Sequence, residues 1–413
     1  MPVDVLSWLT KAAADQRFGW HCRGLDLRLD FIDGHGTHSL LLCESPQLVP
    51  VDTPAKSVIS VKFPAVALSS ILTDVPPPGY HSYGAWKRHD TGIEVAANPL
   101  DEAQALAALE RLAELGRPSE VTFTGFPFEH DAEAIKGHRR NLENSTGQRC
   151  LIHWIEAGSG SPILFLHTAG ADSRQYIHQI ADRALQDSNR LVAFDMPWHG
   201  LSEGEDAVPS TAGYELTEAS YLDWCVTFIE KVLGEPVVII GCSVGAAMAL
   251  TLTARRPDLV RGCIALEAPM TAPGRRSPML TDARIADSQH NPAYVRAMLS
   301  PTAPQRFRDE AAAIYAQARP GVYMGDLTYY SIEYDGARIA PALRDCERPI
   351  VLLTGSYDYS ASPDNTRQLM ETIDSQNVEF HEMPQLGHFP MIEDPVAFRP
   401  FLLMALKKLE NLQ

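Results

Sequence analysis

The sequence predicts an α/β fold: a mostly parallel sheet with helices on both faces and a helical cap, preceded by a small α+β domain. Three observations carry this. Beyond about residue 140, short apolar runs alternate with longer helical patterns, as in parallel sheets whose crossovers cover both faces. Two of those runs are separated by about eighty residues where two to six would join them, which marks an insertion. The first 140 or so residues follow a different rhythm of alternating strands and a closing helix.

The first unit is assigned to residues 1–136. Leu25 to Ile32 and His38 to Cys43 alternate like half-buried strands, and Ala96 to Leu115 ends in an amphipathic helix bearing Leu106, Leu109, Leu112 and Leu115. A Pro76-Pro77-Pro78-Gly79 turn interrupts it, and the polar stretch Gly137 to Gly147 reads as the linker to a second unit, residues 137–413.

In that second unit the strands fall at Pro162 to His167, Leu191 to Asp195, Val237 to Gly241, Cys263 to Glu267, Pro349 to Thr354 and Val378 to Glu382. Helical patterns lie between them, at Glu218 to Leu233, Gly245 to Arg256 and Asn365 to Ile373, with a last one from about Val396 to Leu409. The insertion, about 268–345, opens with loop residues (Pro269, Pro273, Gly274, Pro278), continues through a helix at Pro304 to Ala318 and is rich in tyrosine. It reads as a cap over the site. Most of its aromatic rings pack the cap onto the core, while Tyr323 and Tyr330 are assigned to an apolar substrate pocket.

Composition narrows the function. A 413-residue chain exceeds the size of one ordinary core, and 45% hydrophobic with 21% charged residues is globular usage rather than disorder. Fifty-two acidic against 35 basic residues, a formal charge of -17, repel phosphate backbones and anionic membranes, so neither nucleic acid nor membrane is expected as a partner. The N-terminal residues show no basic segment followed by an apolar run, and a cytoplasmic location is expected. Seven cysteines without a C-x-x-C pair suggest reduced thiols and no zinc site.

The chemistry is concentrated in a few stretches. Val237 to Ile240 form an apolar strand running into Gly241-Cys242-Ser243-Val244-Gly245, followed by small residues that open a helix. A serine on such a strand-to-helix turn projects its hydroxyl, and the helix N-terminus directs free N–H groups at a developing negative charge. Ser243 is therefore the candidate nucleophile. A hydroxyl needs a base to take its proton, and Leu386-Gly387-His388-Phe389-Pro390 supplies His388 after the last strand. A carboxylate must fix the imidazole tautomer. Asp358, after the penultimate strand, is favoured; Glu267, ending the strand after the nucleophile, is the alternative.

Two more stretches complete the pattern. His167-Thr168-Ala169-Gly170 is similar to the His-Gly loop of the α/β-hydrolase superfamily, with Thr168 where glycine is usual. Asp195-Met196-Pro197-Trp198-His199-Gly200-Leu201-Ser202 is similar to its D-x-P-G-H-G-x-S stretch, with Trp198 in place of glycine. Together, in this order over residues 162–395, these stretches identify the chain as a member of that superfamily. The resemblance implies an oxyanion hole from the Val244 and Ala169 N–H groups and a structural His199, with Trp198 assigned to substrate contact. The first unit loosely resembles a sterol-carrier-type lipid-binding domain in its order of elements; a dimerisation or lid-supporting domain is the alternative, so a homodimer stays open.

The function expected is a serine hydrolase cleaving a carboxylic ester or lactone of a medium-sized hydrophobic small molecule through an acyl-serine intermediate, needing no metal or organic cofactor. Relatives that open halides or epoxides carry aspartate at the elbow, which disfavours those reactions. The alternative is cleavage of a carbon–carbon bond next to a ketone with the same triad. A third reading is a non-catalytic ligand-binding protein on the same scaffold.

Overall fold

The computed structural model describes residues 4–117, 119–204 and 213–411. The first strands are β1 (Leu27–Asp33), β2 (Gly36–Leu42), β3 (Gln47–Val49), β4 (Ser57–Lys62) and β5 (Glu94–Ala96), ordered β3-β2-β1-β4-β5 in one sheet. Alternation sets its buried face: Leu27, Leu29 and Phe31 of β1 all point inward. β1 runs antiparallel to β2, with Leu29 opposite Leu40, and parallel to β4, with Leu29 beside Ile59. The helices Val5–Ala14 and Pro99–Leu115 complete this core, tied together by Trp8, whose Nε1 donates to the Leu112 carbonyl at 2.8 Å.

A second sheet holds β6 (Lys136–Glu143), β7 (Arg149–Gly158), β8 (Ser161–Leu166), β9 (Asn189–Phe194), β10 (Val237–Cys242), β11 (Val260–Leu266), β12 (Ile350–Gly355) and β13 (Val378–Met383). Their order is β13-β12-β11-β10-β8-β9-β7-β6. From β9 to β13 neighbouring strands are parallel, and β7 and β6 are antiparallel to what precedes them. The chain places β9 on one side of β8 and β10 on the other, a reversal that opens a crevice at the carboxyl ends of β8 and β10.

The expected linker at Gly137 to Gly147 is corrected: its first half lies in β6, paired with β7 along its whole length. An edge strand on a solvated rim has little to bury, and Leu142 is the one fully buried side chain of β6, so its composition reads as loop. The irregular segment 119–129 joins the two units instead.

Between β11 and β12 the insertion forms helices Asp287–Ala297, Gln305–Ala316, Val322–Thr328 and Gly336–Arg344, with a π-turn at Tyr329–Glu333. The first packs on Pro99–Leu115 of the other unit. There Glu114 accepts from Arg296 Nε at 2.9 Å and Arg308 Nη2 at 2.8 Å. Burial works against the Glu114 carboxylate, but the two arginines hold it well below the usual range. Replacing Glu114 with alanine leaves Arg308 with carbonyl acceptors but no counter-charge and Arg296 with Asp309 as its remaining carboxylate, and is expected to destabilise the protein by about 3 kcal/mol, read as a lowered urea midpoint. An unchanged midpoint would show that this contact does not hold the units together.

Candidate active site

The turn after β10 is forced by close approach. A Cβ on Gly241 would lie 2.1 Å from the Gly245 carbonyl oxygen, and one on Gly245 would lie 2.4 Å from that of Leu166. Glycine alone fits both places. Between them Ser243 adopts φ 55° and ψ −117°, a conformation rarely taken by side-chain-bearing residues and costing about 1–3 kcal/mol. It persists because the Ser243 N–H donates to the Leu266 carbonyl at 2.9 Å and its own carbonyl accepts from Ala247 at 2.9 Å. The helix Val244–Arg255 starts directly after it, so the Val244 N–H has no intrahelical acceptor.

His388 sits 1% exposed in the loop after β13. Its N–H donates to the Met298 carbonyl at 3.0 Å, and its Nδ1 lies 2.7 Å from Asp358 Oδ2. Asp358 Oδ1 accepts from the N–H groups of Ser360 at 2.6 Å and Ala361 at 3.1 Å. Burial opposes the Asp358 charge, but His388, a hydrogen bond from Glu267 and the Ala361 N–H outweigh it and pull the carboxyl down to about 2. The acid is thus ionised where an imidazolium needs it.

Glu267 is the other carboxyl here. Both its oxygens face the Gly355 N–H, at 3.0 and 3.1 Å. Burial, then the Asp358 charge, push it well above the usual carboxylate range. Both effects favour its neutral form, the form that can donate a hydrogen to Asp358. Ligand atoms of Glu267, Asp358 and His388 lie within 4.8 Å of one another, the one cluster among the described residues with metal-holding geometry. The 2.7 Å bond from His388 Nδ1 requires a proton where a metal would require a lone pair.

The loop after β8 also resolves by hydrogen-bond bookkeeping. Thr168 N–H donates to Gln175 Oε1 at 2.9 Å, Gly170 N–H to Asp326 Oδ2 at 2.7 Å and Ala171 N–H to the Thr168 carbonyl at 3.2 Å. Of the four N–H groups from Thr168 to Ala171, that of Ala169 has no acceptor among the described residues. Thr168 in place of glycine is accommodated because the positive φ falls on Gly170, at 67°.

Asp326, in the cap, has no local sequence signature. It accepts from Gly170, from the Tyr214 hydroxyl at 2.9 Å and from His199 Nε2 at 2.8 Å. His199 Nδ1 lies 2.9 Å from the Pro197 carbonyl, so both ring nitrogens face acceptors and both carry protons. Burial disfavours that charge, but Asp326 more than compensates and raises the His199 pKa. The cap is thereby tied to the loop bearing Ala169.

Of the residues assigned to substrate, Tyr330 is buried with its hydroxyl beside the Ser243 side chain. Tyr323 packs against Gly170, where a Cβ would meet it at 2.9 Å. Trp198 takes φ 73° in the turn after β9, and its ring lies against Gly204, 6.5 Å from the Tyr214 ring. The first unit also reaches the site. Tyr357, next to Asp358, donates through its hydroxyl to the Pro76 carbonyl at 2.9 Å, and the His81 ring packs against Tyr357 and Tyr359.

Comparison with known proteins agrees with this fold. The alpha/beta hydrolase family pattern matches residues 163–400, more than half of the chain. The 2-hydroxymuconate semialdehyde hydrolase of Pseudomonas sp. (strain CF600) is 26% identical over 266 residues, 62% of this chain and 89% of its own. An (E)-2-((N-methylformamido)methylene)succinate hydrolase of Acinetobacter baylyi is 28% identical over 109 residues, 26% of this chain, and the match spans only 38% of its own length. Among solved structures, the enol-lactonase from Burkholderia xenovorans superposes with a TM-score of 0.55 at 17% identity, covering 65% of this chain and 100% of that one, a likeness of fold. The elbow at Ser243, the sheet order around β8 and β10 and the match along residues 163–400 converge: this chain belongs to the alpha/beta hydrolase family.

Proposed function

We propose that the protein is a serine hydrolase that cleaves a carboxylic ester or lactone of a medium-sized, largely hydrophobic molecule through an acyl-Ser243 intermediate. The observation that carries this reading is a serine, not an aspartate, held at φ 55° on the elbow of a fold that also pairs His388 with an ionised Asp358. Ser243 Oγ attacks the carbonyl as His388 takes its proton, and the oxyanion is held by the Val244 and Ala169 N–H groups. His388 then protonates the leaving alcohol and activates the water that releases the acid. Asp358 stabilises the imidazolium throughout. In this reading Tyr330 and Tyr323 wall the acyl pocket, and the first unit supports the cap through Glu114 and the acid-bearing loop through Pro76.

A second reading, cleavage of a carbon–carbon bond next to a ketone, is favoured by the match along 89% of a relative named for a semialdehyde rather than an ester. Steady-state assays on aryl and alkyl esters, lactones and a β-diketone separate the two. Turnover of esters or lactones with kcat/KM above about 10⁴ M⁻¹s⁻¹, an ordinary enzymatic value, is expected. Turnover of the diketone alone would replace the ester reading with the second.

A further inference from the structure

Arg275, on the loop that opens the cap, is 8% exposed, yet no carboxylate or carbonyl oxygen among the described residues accepts from its guanidinium, which has the Tyr323 hydroxyl as a neighbour. Nη2 lies 3.6 Å from the Met298 sulfur, while Nε and Nη1 are shielded from solvent without partners. The neighbouring buried arginines differ. Arg296 and Arg308 pair with Glu114, and Arg117 donates to the Pro301 and His81 carbonyls. A buried guanidinium with five donors, met only by a thioether and a neutral hydroxyl and by no counter-charge, is strongly unfavourable unless an anion completes it.

The surroundings suit one. The guanidinium carbon lies 5.2 Å from the centroid of the Tyr294 ring. The buried hydroxyls of Tyr330 and Tyr359 are both within the field of Arg275; among the described residues that of Tyr359 has no hydrogen-bond partner, and that of Tyr330 has only the Ser243 side chain beside it. Arg275 and Tyr323 line a cleft of about 450 Å³ whose opposite wall, including Gly84 and Arg88, comes from the first unit. The acids of that cleft are already engaged: Glu102 pairs with Lys87, and Glu110 accepts from the Tyr83 and Gly84 N–H groups. In a chain of net charge -17, Arg88 and Arg275 leave this cleft cationic.

Two neighbours of Arg275 lead to the reacting groups. Met298, whose sulfur touches Arg275, accepts the His388 N–H through its carbonyl. Tyr330 has both the Ser243 side chain and the Arg275 charge as neighbours. We propose that Arg275, with the Tyr330 and Tyr359 hydroxyls, forms a carboxylate-binding subsite, so that the molecule processed at Ser243 carries an ionised carboxylate besides its scissile carbonyl. A planar carboxylate matches the guanidinium fork and neutralises its single charge, whereas a phosphate dianion would leave buried charge over. The turnover part rests on the serine-hydrolase reading; the binding part does not.

The test compares monophenyl glutarate with phenyl pentanoate, which differ by a carboxylate in place of a methyl group. The wild type is expected to favour the glutarate ester by about 100-fold in kcat/KM, with the ratio falling to about 1 in Arg275→Met and to an intermediate value in Arg275→Lys. In parallel, glutarate should raise the melting temperature of the wild type and not of Arg275→Met, each read against the same protein without glutarate because the variant loses the Met298 and Tyr294 contacts. If glutarate protects the wild type alone but no ester is turned over, the subsite stands and the hydrolase reading fails. Ester turnover without preference, together with no glutarate shift, overturns the subsite. Protection by inorganic phosphate instead of glutarate overturns its assignment to a carboxylate.

Discussion

Replacing Ser243 with alanine is expected to lower turnover of whichever ester the wild type accepts by about 10⁴–10⁶-fold, leaving only what the oxyanion donors and binding provide. The loss is this large because no other group on the elbow can form the covalent intermediate: Gly241 and Gly245 are held side-chain-free by backbone, and Cys242 points away, its thiol donating to the His388 carbonyl at 3.3 Å. The fold should survive, since Ser243 is anchored through its N–H and carbonyl, both kept by alanine. Melting temperature therefore serves as the control. Full activity in a folded Ser243→Ala protein would leave only the reading in which the scaffold binds without reacting.

The two carboxyls beside His388 give the second large effect. Asp358→Asn should lower kcat by about 10³–10⁴-fold, because the amide neither stabilises an imidazolium nor holds the Nδ1–H tautomer. Glu267→Gln should cost no more than about tenfold, the scale of one neutral hydrogen bond, because burial and the Asp358 charge favour the neutral form of Glu267 and the amide keeps a donor for Asp358 and an acceptor for Gly355. Steady-state kinetics of the two variants decides the matter. A collapse in Glu267→Gln with near-normal Asp358→Asn would reverse the roles.

Much of this centre could be read from sequence because its constraints are local in the chain. Ser243 lies within a strand, two glycines and a helix start that are contiguous, and His388 follows its strand by a short loop. Asp358 could be favoured over Glu267 but not fixed, because both follow adjacent parallel strands, β12 and β11, and which one meets an imidazole depends on side-chain placement. Asp326 went unread: it contacts Gly170 from 156 residues away, and nothing in the cap helix Val322–Thr328 marks its carboxylate as buried. Arg275 was invisible for a related reason. A charged residue in a proline- and glycine-rich loop reads as solvated, and only packing by Tyr294 and Met298 reveals that it is not. β6 was misread because an edge strand with one buried side chain lacks the apolar pattern by which strands are recognised.

The most direct test of the central claim is covalent. A fluorophosphonate, which acylation-type serine nucleophiles attack at phosphorus, is incubated with the folded protein, and the digest is analysed by mass spectrometry. One adduct per chain is expected, on Ser243, absent from Ser243→Ala and formed far more slowly in His388→Ala. An adduct on another residue, or ester turnover by a protein that takes up no label at Ser243, would contradict the account.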